Sequence, residues 1–219
     1  MSISALALLF AGTVPAPDTT LDLFPADDVW AYPHASSPES DPFLRVWGNE
    51  SGSVARSAGE SDAYGYSFLR FDLAGLPEGK SVKKAVLVLF HTPKPTFSLE
   101  LAKRAPLEAR AMPDGIREKN WSYNDLEKFM PVRDKAGLYG AASPDKLDEN
   151  KEFAISIDLT GAESPFTKNF EAARKGGSFS IALTSAMNPA EEETRATYKL
   201  CSKDGPKELR PVLKITFAD

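Results

Sequence analysis

Tyr66-Ser67-Phe68-Leu69-Arg70-Phe71-Asp72-Leu73 and, one turn later, Ala85-Val86-Leu87-Val88-Leu89-Phe90 decide the fold class. In the first stretch Leu69, Phe71 and Leu73 fall on one side of an extended chain, and Phe68, Arg70 and Asp72 on the other. That is the period of a strand with one face turned inward. The second is apolar at every position, which predicts a central strand covered on both faces. Gly75-Leu76-Pro77-Glu78-Gly79-Lys80-Ser81 between them resembles a phosphate loop. Three residues separate its glycines where four are needed, and a strand follows instead of an anion-holding helix, so it reads as a turn.

Outward from this pair, short alternating runs recur between Gly, Pro, Asn, Asp and Ser. They predict strands at 28–32, 43–47, 66–73, 82–91, 96–103, 153–159, 178–184, 194–201 and 212–217. Nine strands suit an all-β, antiparallel two-sheet sandwich. One or two short helices join them. Ser164-Pro165 opens one that carries Phe166, Phe170 and Ala173 on one side and stops at Gly176-Gly177. The other runs over 124–130 and ends before Pro131. Residues 105–150 are otherwise poor in alternation and read as a long loop excursion, a common place for binding surface.

The 219 residues are 42% apolar and 26% charged, which fits one packed domain and excludes a disordered or collagen-like chain. With a net charge of −5 and mixed signs, no basic stripe offers a phosphate-neutralising surface, so nucleic acid is not an expected partner. Residues 3–11 form an apolar run too short to span a bilayer, followed by Gly12-Thr13-Val14-Pro15-Ala16. That is the shape of a signal peptide over 1–16 cleaved after Ala16, with a linker at 17–21 and the sandwich at 22–219. The protein is therefore expected to be secreted, periplasmic or at the cell surface, with no membrane span. Cys201 stands alone and reads as a buried thiol.

The common catalytic and metal signatures are absent. The acidic candidates are Asp27, Asp28, Asp72 and Asp158, which could serve as a glycosidase pair or, as Asp27, Asp28 and Asp158, hold a structural calcium; surface and turn acids are the plainer reading. A lyase would need a base beside a cation, and Tyr32, His34 and Arg45 could supply one. Trp30, Tyr32, Trp47 and Trp121 lie near strand ends or in loops, where an indole or phenol face can stack on a sugar ring. Arg45 and Arg56 lie close in sequence and suit carboxylate or sulfate. Trp30 and Trp47 also alternate with polar neighbours as core residues do, so burial is the competing expectation for them.

The stretch from Tyr66-Ser67-Phe68-Leu69-Arg70-Phe71-Asp72-Leu73-Ala74-Gly75-Leu76-Pro77 through Ser81-Val82-Lys83-Lys84-Ala85-Val86-Leu87-Val88-Leu89 resembles the central signature of the DNRLRE-domain family. Upstream, Ala26-Asp27-Asp28-Val29-Trp30 and Phe43-Leu44-Arg45-Val46 are similar to its first strands. Downstream, Ile155-Ser156-Ile157-Asp158-Leu159-Thr160, Phe179-Ser180-Ile181-Ala182-Leu183, Ser202-Lys203 and Arg210-Pro211-Val212-Leu213 follow its order. The resemblance spans about residues 22 to 219 and implies a jelly-roll sandwich in an exported protein, often beside polysaccharide-degrading enzymes. Some members are alginate-binding modules. The stretch after Arg104 is longer than usual for the family, and Trp121-Ser122-Tyr123-Asn124 and Ser202-Lys203-Asp204 depart from its motifs. The functional expectation is a non-catalytic carbohydrate-binding module for an acidic polysaccharide. The alternatives are an extracellular structural or adhesion module in a cell-surface assembly, and a polysaccharide lyase or glycoside hydrolase.

Overall fold

The computed structural model describes residues 18–31, 41–48, 64–119, 121–189 and 196–218. Among these residues the alternating runs form antiparallel strands in two sheets. The first sheet holds β1 (Thr19–Leu23), β3 (Phe43–Val46), β5 (Val82–His91), β8 (Phe153–Asp158), β10 (Tyr198–Cys201) and β11 (Val212–Phe217). The second runs β2 (Pro25–Ala31), β4 (Tyr66–Asp72), β9 (Ser178–Thr184), β6 (Leu107–Ala111) and β7 (Leu138–Ala142). Residues 86–88 of β5 pair with β11 and β8 at once, so these two strands flank it on opposite edges. β10 takes up the β11 side at His91, and β3 pairs with β10 and ends that side. The chain crosses between sheets at nearly every step. The order β4-β9-β6-β7 facing β3-β10/β11-β5-β8 is the double Greek key of a jelly roll.

The inward side chains of both sheets fill one core. Leu69 and Phe71 of β4 and Ile181 and Leu183 of β9 meet Leu87 and Leu89 of β5, Ile155 and Ile157 of β8, and Leu213 and Ile215 of β11. Alternation therefore read correctly for β4, where Phe68 and Arg70 point to the other side. Those two are buried as well, because residues 112–119 and 121–130 fold across the outer face of the second sheet. Ile116, Leu126, Trp121 and Phe129 close over Val29, Phe68 and Ala182 as a second hydrophobic layer. The excursion is thus a lid with a core of its own.

Several sequence expectations are corrected. Residues 99–104 form a helix, α1 (Leu99–Arg104), where a strand over 96–103 was expected; Ser98 Oγ accepts the Leu101 N–H at 3.1 Å, and Leu101 and Ala102 turn into the core. The linker at 17–21 overlaps β1, which pairs along β11. The excursion 105–150 contains β6 and β7. In β6 the inward residues Leu107, Ala109 and Ala111 are mostly small, which weakens the apolar alternation. In β7 a Cβ on Gly140 would lie 2.2 Å from the Asp158 carbonyl, so close packing against β8 admits only glycine. β5 is covered on one face only, since Val86, Val88 and Phe90 are half-buried on the outer side. The helix opened by Ser164-Pro165 is present as α2 (Phe166–Arg174), and 123–129 form a 3-10 turn. No described helix is long and apolar enough to cross a membrane. The proposed signal peptide lies outside the described residues.

Candidate functional site

β2 ends the second sheet and β3 the first, and the two edges meet at one side of the sandwich. Trp30 of β2 lies there beside Trp47, which follows β3, with ring centroids 6.2 Å apart. Both indoles are half-buried, so neither expectation for them holds in pure form. Trp30 Nε1 donates to Asp41 Oδ2 at 2.9 Å, which fixes the ring, and the Arg45 guanidinium sits 5.5 Å above its centroid. Trp47 lies across Gly65, where a Cβ would come within 2.4 Å of its ring. The sequence thus named three residues that the fold brings together.

The register adds a fourth. Arg45 on β3 stands directly opposite Lys199 on β10. Like charges opposed across an antiparallel pair, with Cβ atoms about 5 Å apart, disfavour the pairing unless something offsets them. Here each cation lies on an aromatic ring: Lys199 Nζ is 3.9 Å from the Phe43 centroid, as Arg45 is over Trp30. Among the described residues neither has a carboxylate partner. Two hollows of about 320 and 340 Å³ flank this pair and share Thr92, Pro93 and Lys199. The first is lined by Arg45, Lys94, Lys199, Thr96 and Thr197 and by no carboxylate. The second is lined by Phe43, Pro206, Leu209 and Glu152. Together they make one shallow groove over the outer face of β10.

His91 forms part of the groove floor without being free to react. Its Nδ1 is 2.6 Å from the Thr92 carbonyl, to which it donates, and Nε2 accepts the Lys199 N–H at 3.0 Å. Burial holds the imidazole down at about 4, so the neutral ring joins β5 to β10. Lys94, at the rim, has φ 57°, a left-handed conformation that a lysine adopts only under constraint.

The remaining candidates lie elsewhere. Trp121 packs on Phe68 and Phe129 in the second hydrophobic layer. Tyr32, His34 and Arg56 lie outside the described residues. The proposed calcium ligands do not meet: Asp27 pairs with Arg70 at 2.7 Å, and Asp158 accepts the Thr160 N–H at 2.9 Å on distant β8. The carboxylates that do converge are Asp28, Glu118 and Asp204, within 4.8 Å of one another. Lys203 lies among them, with Nζ 2.6 Å from Glu118 and 2.8 Å from Asp204, while its backbone N–H donates to Asp28 at 2.6 Å. Sequence reading missed this cluster because its members come from β2, the excursion and the turn after β10.

No protein-family model matches the chain, and no curated protein matches it either.

Burial pushes the Asp28 carboxyl up to about 7, above the 3.8 of an ordinary aspartate. The folded protein therefore holds that proton more tightly than the unfolded chain. Below pH 3.8 Asp28 costs nothing, and between 3.8 and 7 stability falls as pH rises. Asp28→Asn keeps an oxygen for the Lys203 N–H and removes the buried charge. It should raise the melting temperature at pH 8, by about 2–4 °C for each kcal/mol regained, and leave it nearly unchanged at pH 3.5. Thermal denaturation at both pH values checks this; equal shifts at both would refute the assignment.

Proposed function

We propose that this protein is a non-catalytic carbohydrate-binding module for an acidic polysaccharide, and that the ligand lies along the groove over β10. The observation that carries the reading is the opposed pair of Arg45 and Lys199, each resting on an aromatic ring and neither paired with a carboxylate among the described residues. An anionic sugar set between them relieves their repulsion. The guanidinium fork grips a carboxylate through two N–H groups, and the Trp30 ring beneath it holds the guanidinium in place. Shallow, open and walled by threonine hydroxyls, the groove suits a polymer lying across it. Its histidine has both nitrogens engaged, which favours binding over general-base chemistry. The amino-terminal apolar run and the resemblance to exported DNRLRE domains agree with work outside the cell on polysaccharide, alone or beside a degrading enzyme.

Affinity electrophoresis tests the reading. Retardation by gels containing uronate polymers, fading as salt is raised, with none by neutral chitin, is the expected result. Equal mobility in every gel would overturn it.

Lys94 offers a separate check. Glycine at this position relieves the left-handed backbone and loses chain stiffness in the unfolded state, so stability should change by less than about 1 kcal/mol. Affinity for a uronate polymer should nevertheless fall about two- to fivefold, the scale of an exposed charge contact. Thermal denaturation and titration at one salt concentration measure both effects.

A further inference from the structure

We infer that the groove reads an alternating polymer, in which an acidic sugar is followed by an uncharged one, in preference to a polymer that is acidic at every residue. The inference rests on the binding proposed above and adds the charge pattern of its ligand.

The two hollows adjoin at Lys199, Thr92 and Pro93, within reach of neighbouring residues of one polymer. Their chemistry differs. The first gathers three cations, Arg45, Lys94 and Lys199, and no acid. The second is walled by Phe43, Pro206 and Leu209 and carries one exposed carboxylate, Glu152, which has no ion-pair partner among the described residues. A carboxylate entering the first hollow meets charge of opposite sign. Its neighbour in the second hollow meets apolar walls and the like-signed carboxylate of Glu152, a repulsion that is strongest at low ionic strength. An uncharged ring suffers no such penalty, and its C–H face packs on proline, leucine and phenylalanine. Lys199 belongs to both hollows, with its ammonium over the Phe43 ring, so the second holds one cation against one carboxylate while the first holds three cations and no acid.

Two probes of opposite pattern test this at a fixed ionic strength: hyaluronan, an unsulfated polymer in which uronate alternates with a neutral amino sugar, and polygalacturonate, with a uronate at every residue. Per carboxylate, the protein should bind hyaluronan more tightly. Glu152→Gln, an exposed change that leaves the fold intact, should raise affinity for polygalacturonate about two- to fivefold and shift hyaluronan less. Tighter or equal binding of polygalacturonate by the unaltered protein would overturn the inference, as would a Glu152→Gln variant that shifts both polymers equally or neither. In each of those outcomes the binding function itself survives. Binding of neither polymer by the unaltered protein would sink both.

Discussion

Replacing Arg45 and Lys199 together by alanine is expected to abolish measurable binding of acidic polysaccharide. A charge-assisted hydrogen bond to a bound carboxylate is worth about 1.5–3 kcal/mol, so each single variant should lose roughly 10- to 100-fold and the pair more than either. The fold should not suffer. Both side chains are only half-buried on the outer face, and removing two like charges that face each other across β3 and β10 relieves a repulsion. The double variant loses two cation–π contacts along with the repulsion, so its melting temperature should stay within about 4 °C of the parent protein. Calorimetric titration with a uronate polymer, run beside thermal denaturation, separates the two effects. A variant that binds as before would place the ligand elsewhere, whereas one that fails to fold would show that these cations have a structural task.

The largest stability effect is expected at Phe68. Its ring is fully buried, yet it sits on the outer side of β4, against Trp121 at 5.9 Å and beneath the excursion residues Ile116, Leu126 and Phe129. Phe68→Ala should cost about 3–5 kcal/mol, the usual loss for an aromatic removed from a packed interior. A solvent-facing phenylalanine would cost far less. Protection of excursion amides against hydrogen exchange should fall in the same variant, because the lid loses the side chain it closes on. Denaturant unfolding gives the first quantity, and a loss below about 1 kcal/mol would mean the excursion is not packed on this sheet.

Phe68 also shows what the sequence made legible. Phe68 shares the nominally polar face of β4 with Arg70 and Asp72, and alternation gave that strand one inward face, because nothing local said what would cover the other. Strands β4, β5, β8, β9 and β11 are visible because large apolar side chains recur at every second residue. β6 and β7 are hidden because alanine, glycine and a Glu108–Arg110 ion pair replace that contrast. Leu99–Arg104 misled for a related reason: a short stretch with Leu at alternate positions fits a strand or a helix, and only the Ser98 cap decides between them.

The candidate site divides in the same way. Arg45, Trp30 and Trp47 were visible as residue types suited to a sugar. Lys199 was not, because its role comes from the register of β10 against β3, a pairing of residues 154 positions apart that no local pattern reveals. Trp121 was singled out for the same chemistry and packs, half-buried, on Phe68 and Phe129 in the hydrophobic layer. The three aspartates considered for calcium are split among an arginine pair, a buried carboxyl and a strand-end turn, since sequence proximity and acidity do not make carboxylates converge.

The most direct test is a map of backbone amide shifts in isotope-labelled protein on addition of a short acidic oligosaccharide. Shifts should concentrate at Arg45, Thr92, Lys94, Thr197 and Lys199, together with the Trp30 indole N–H, and should weaken as salt is added. Shifts confined to the Trp121 lid or to the β7–β8 edge, with the β3–β10 pair silent, would contradict the account.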